Sequence, residues 1–136
     1  MKNKIAGLVA AICCTLGVFS AKAQCPGTSV VNNLSCNMVV LVQFYDCSMM
    51  VCSQNNVMVP GNGGSVAINC AACGGTSCNV SITILSINGV GITPIPKVSY
   101  SNACPGSAVG INMPTGCSPT AATLCFDSST NEFIAQ

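Results

Sequence analysis

The segment Cys78-Asn79-Val80-Ser81-Ile82-Thr83-Ile84 carries an apolar side chain at every second position, with Asn, Ser and Thr between them. A period of two puts Cys78, Val80, Ile82 and Ile84 on one face of an extended strand, whereas a helix would scatter them around its axis. Just beyond it, Asn88-Gly89 is the favoured centre of a two-residue type I′ hairpin, whose two positions both require positive φ. The pair predicts a hairpin joining Ile82–Ile87 to Val90–Thr93.

The same alternation recurs on both sides. Within Asn37–Tyr45, Met38, Val40, Val42 and Phe44 share a face, and Val39 and Leu41 predict partial cover on the other. Val66, Ile68 and Cys70 form another row, as do Val109, Ile111 and Met113. Shorter candidates are Ser29–Val31, Val57–Val59, Val98–Tyr100, Ala122–Phe126 and Glu132–Ala135. Pro60-Gly-Asn-Gly-Gly64 reads as a connection between two strands, and Pro94 and Pro96 break the run after the hairpin. No helical period is visible past residue 23. The expected fold is all-β, a small disulfide-rich antiparallel β-sandwich or irregular barrel of about 7–10 short strands.

The chain has 136 residues, and its start reads as a secretory signal. Lys2 and Lys4 precede an apolar helix-forming run, Ile5–Phe19, and Ala21-Lys-Ala23 supplies small residues for cleavage after Ala23. That run is shorter than the roughly 20 residues needed to span a bilayer. Residues 1–23 are therefore expected to be a cleaved signal peptide similar to bacterial ones, and 24–136 a single secreted or cell-surface domain with no membrane span.

Export bears on the cysteines. Of 12, Cys13 and Cys14 fall in the leader, leaving Cys25, Cys36, Cys47, Cys52, Cys70, Cys73, Cys78, Cys104, Cys117 and Cys125. An even set in an oxidising compartment reads as a disulfide framework, whose pairing spacing alone does not give. Cys70-Ala-Ala-Cys73-Gly-Gly-Thr-Ser-Cys78 is read as a bridged loop. Gly74 and Gly75 make a poor helix start for a redox pair, and no histidine is present to complete a mixed zinc set. Cys47 and Cys52, bracketing Ser-Met-Met-Val, are expected to pin a loop in the same way.

Two echoes occur within the chain: Cys25-Pro-Gly-Thr-Ser-Val with Cys104-Pro-Gly-Ser-Ala-Val, and Ser35-Cys-Asn-Met with Ser77-Cys-Asn-Val. Their offsets differ, so they read as a reused turn-and-strand device. Val30–Cys36 resembles the start of thaumatin-like proteins, an Asn and a Cys ahead of a strand, over fewer than ten residues. No residue role is transferred from that resemblance.

Charge is scarce. Beyond residue 23 there is one cation, Lys97, against Asp46, Asp127 and Glu132, and no Arg, His or Trp anywhere. A basic surface for nucleic acid is absent, and serine has no histidine to activate it. Asp46 beside Cys47 and Asp127 opening Asp127-Ser-Ser-Thr read as turn residues. The expectation is a non-enzymatic chain with no cofactor and no metal site. Sheet edges normally carry charges against edge-to-edge pairing, and this chain has almost none to place there. A structural or surface-associated protein that self-associates is thus the first reading. A recognition module for a glycan, cell surface or protein is the second, with Tyr45 and Tyr100 as ligand contacts. A secreted toxin or antimicrobial is the third.

Overall fold

The computed structural model describes residues 28–68, 73 and 79–136. The leader at residues 1–23, the Ala23–Gln24 junction, Cys25, Cys70 and Cys78 lie outside those residues. Ten strands form in chain order: β1 (Thr28–Asn32), β2 (Met38–Tyr45), β3 (Val51–Val59), β4 (Gly64–Ile68), β5 (Asn79–Ile87), β6 (Val90–Gly91), β7 (Lys97–Ser99), β8 (Val109–Asn112), β9 (Ala121–Asp127) and β10 (Glu132–Ala135). They make two sheets. One runs β4-β1-β10-β9-β8, the other β3-β2-β5-β6, with β7 also pairing β5. The result is the expected small disulfide-rich β-sandwich.

The core lies between the sheets. β2 contributes Met38, Val40, Val42 and Phe44, and β5 contributes Val80, Ile82, Ile84 and Ile87, all at most 2 % exposed. The opposite sheet supplies Val30, Ile111, Leu124, Phe126 and Phe133. The step from Ile84 to Ile87 breaks the strict alternation. The β2–β5 register shifts between Val39 and Val40, an extra residue enters β5, and Ile87 turns inward. Asn88 and Gly89 take φ of 50° and 77°, the double positive φ of the predicted hairpin turn. Its second strand is shorter than the expected Val90–Thr93. Pro94 and Pro96 cannot donate to a ladder, and β7 takes Ser81–Thr83 on the same side of β5.

Three further departures have clear causes. β3 extends over nine residues where only Val57–Val59 were expected, because an edge strand paired on one side needs no buried face along its length. The Cys47/Cys52 bracket does not form as a local clamp: Cys52 sits on β3 and bridges Cys73, tying that strand to the segment between β4 and β5. Finally, β1 pairs with β10 in parallel, the exception in an otherwise antiparallel strand set. A hairpin imposes antiparallel direction on its own two strands, but β1 and β10 are separated by almost the whole chain and are free of that constraint.

Two other bridges close long loops, Cys36–Cys117 and Cys104–Cys125. Cys47 is also disulfide-bonded, so every cysteine among the described residues is oxidised. Cys36 and Cys117, which trail the two halves of the first echo, are thus joined to each other. The strands of the second echo, β2 and β5, are antiparallel neighbours.

Candidate functional site

β3 forms one edge of its sheet, pairing β2 from Met38↔Val59 to Tyr45↔Val51, with no strand on its other side among the described residues. Its sequence, Val-Cys-Ser-Gln-Asn-Asn-Val-Met-Val, contains no charge and no proline. The other edges are short or guarded. β8 has four residues, β4 five, and β6 two; β7 has three, begins with Lys97 and follows Pro94 and Pro96. Charges and prolines are the usual protection of an edge, and β3 has neither.

Apolar exposure gathers at the same place. Met49, Met50, Val51 and Met58 are 60 %, 66 %, 46 % and 63 % exposed, four of the six large apolar side chains standing in solvent among the described residues. The turn leading into β3 is held by hydrogen bonds to Asp46. Asp46 Oδ1 accepts from the amides of Ser48 and Met50, and the Asp46 carbonyl accepts from the Met49 amide. Met49 is held at a φ of 62° in that turn. Between β3 and β4 lies a cleft of about 380 Å³, lined by core residues Val30, Val42 and Phe44 and by Asn55, Val57 and Val66.

The second feature is polar and lies on the outer face of the sheet containing β2, β5 and β7. Lys97 Nζ donates to Tyr45 Oη at 3.1 Å and to Gln43 Oε1 at 3.4 Å, and sits 5.7 Å from the Tyr45 ring centroid. Tyr45 Oη also lies 3.3 Å from Ser81 Oγ and donates to Gln43 Oε1. Gln43 Nε2 in turn donates to Gln54 Oε1 on β3. A pocket of about 220 Å³ opens here, lined by Tyr45, Met49, Asn79, Ser81, Lys97 and Ser99.

Tyr100 is placed differently. It is partly buried, edge-to-face with Phe126 at 4.8 Å and stacked on Phe133 at 5.6 Å, so its ring belongs to the core cluster. No site contains both tyrosines. Their hydroxyls are pushed in opposite directions. The hydrogen bond from Ser81, reinforced by Lys97, lowers the Tyr45 pKa, while burial raises that of Tyr100 against a hydrogen bond to Thr28. The chain has two tyrosines, so a tyrosinate absorbance titration of the folded protein should show two phases, one on each side of pH 10. Tyr45→Phe should remove the earlier phase and leave the later one. By linkage, the lowered Tyr45 value adds stability above the unfolded pKa, lost as pH falls through the folded one. The raised Tyr100 value adds stability below the unfolded pKa, lost as pH rises through the folded one.

Asp127 Oδ1 accepts from the amide and hydroxyl of Ser129, closing the turn before β10, so it and Asp46 serve in separate turns. Among the described residues, no group of three or more His, Cys, Asp or Glu is arranged to hold a metal ion, and no helix is long and apolar enough to cross a membrane. The β3 edge was the feature the sequence reading left unlocated. Only Val57–Val59 reads as a strand in the sequence, because the rest of β3 shows no alternation, and absence of charge does not single it out, since residues 47–96 carry none. Comparison with protein-family models, curated proteins and solved structures gives no match.

Proposed function

We propose that the chain acts outside the cytoplasm as a non-enzymatic structural or surface-associated protein that associates with copies of itself. Disulfide bonding at every described cysteine points to an oxidising environment. The observation that carries the reading is the long, uncharged edge of β3, which no strand covers among the described residues, with exposed apolar side chains around it. Unpaired N–H and C=O groups on such an edge are a template for another strand, and weak net charge offers little repulsion between copies.

Sedimentation of the native, unreduced protein over a concentration series at low salt tests this. The expected result is a mass that rises with concentration above that of the monomer. A strict monomer at high concentration overturns the reading.

The Tyr45 patch favours a second reading, recognition of an anionic surface glycan, because Lys97 has no carboxylate partner among the described residues and stands beside an aromatic face. Binding to a carboxylated glycan that is abolished by Lys97→Ala, with the melting temperature unchanged, would support it. No binding by the native protein would remove it.

A further inference from the structure

We infer that β3 pairs antiparallel with β3 of a second copy about a twofold axis at Asn55, joining two sandwiches through one continuous sheet. This rests on the self-association reading and names its partner surface. The strand is self-complementary in that direction. Its ends are Val51 with the disulfide-bonded Cys52 on one side and Val57-Met58-Val59 on the other, and its middle, Ser53-Gln54-Asn55-Asn56, is neutral and polar. Antiparallel pairing centred on Asn55 sets Val51 of one copy opposite Val59 of the other, the bridged Cys52 opposite Met58, and Ser53 opposite Val57. Gln54 then faces Asn56 of the second copy, and Asn55 meets its own equivalent.

Side-chain direction fits as well. Gln54 and Asn56 pair with Gln43 and Leu41 on the outer face, while Asn55 and Val57 pair with the buried Val42 and Val40 on the inner one. Amide pairs therefore form toward solvent. The inner row of the incoming strand lies beside the cleft between β3 and β4 and covers its apolar lining.

A β3-to-β3 contact uses the same patch twice and closes at two copies. Pairing β3 with a different edge would propagate without limit. The guards on the remaining edges oppose that: Lys97 with Pro94 and Pro96 at β7, and short length at β4, β6 and β8. The proposal is thus a dimer and not a fibre.

The test is a charge swap at exposed positions. Gln54→Lys/Asn56→Lys places lysine opposite lysine twice in the twofold pair, and Gln54→Glu/Asn56→Glu does the same with carboxylates. Sedimentation of each variant alone should show dimerisation weakened about 10- to 30-fold, since like charges directly opposite are unfavourable. An equimolar mixture should restore dimerisation, which also shows that both variants are folded. If the native protein associates and both variants associate as strongly, β3 pairing is overturned while self-association stands. Variants that are monomeric alone and remain so when mixed overturn the antiparallel register. A native protein that stays monomeric overturns both readings.

Discussion

Asn32→Ala is expected to lower the unfolding free energy by about 3–5 kcal/mol, with roughly 1–3 kcal/mol for each buried partner left unsatisfied. Asn32 is fully buried at the end of β1. Its Nδ2 donates to the carbonyls of Cys36 at 2.9 Å and Val59 at 3.1 Å, and its Oδ1 accepts from the Leu34 amide at 3.1 Å. One side chain thus joins β1, the turn after it and the end of β3, across the two sheets. Alanine fills neither the space nor the bonding, and water has no access to substitute. Urea unfolding of the unreduced protein measures the loss; a change under about 1 kcal/mol would show that the backbone groups find other partners. Asn32→Asp sharpens the test. A carboxylate would face two carbonyl oxygens without a proton to offer, so its folded pKa lies above its unfolded value. The variant should be least destabilised below the ordinary carboxylate range and lose further stability as pH rises through the folded pKa.

Cys36→Ala/Cys117→Ala is expected to cost about 4.5 kcal/mol, and Cys104→Ala/Cys125→Ala about 3.3 kcal/mol, from the loop each bridge closes in the unfolded chain. The sequence separations are 81 and 21. The longer loop loses more conformational freedom on cross-linking, so its bridge contributes more. Against a net stability of about 5–15 kcal/mol for such a domain, removal of the first bridge is close to unfolding it. The bridge also fixes the turn after β1 against the turn before β9. Beside it the Ser35 amide donates to the Ser118 carbonyl at 2.8 Å, and the Ser118 amide donates to Ser35 Oγ at 2.8 Å. Unfolding of the two double variants under non-reducing conditions gives the ranking. A smaller loss from the 36–117 pair than from the 104–125 pair would show that native contacts, and not loop closure, govern these bridges.

Much of the fold was legible because buried strands declare themselves. In β2 and β5 the alternation follows from one face meeting the core, and Asn88-Gly89 announces its turn through the double positive φ that Asn and Gly adopt at little cost. The candidate sites were less legible. β3 shows no alternation because its side chains mostly face water on both sides, and the hydrogen bonds to β2 that hold it belong to backbone atoms common to every residue. Asn32 reads as a turn residue, and its burial depends on Val59, which is distant in the chain. Tyr45 and Tyr100 look alike in sequence; one lies on a polar outer face and the other in the core because of which strands flank them.

Local patterns alone were enough for the all-β class, the hairpin at Asn88-Gly89, the scarcity of charge and the reliance on sulfur, since each is a property of neighbouring residues or of composition. Bridge pairing, the parallel β1–β10 contact and the position of β3 at an edge among the described residues were set by packing. They depend on which distant segments meet, and a choice among many such meetings is made by the free energy of the whole core, which no short stretch of residues encodes.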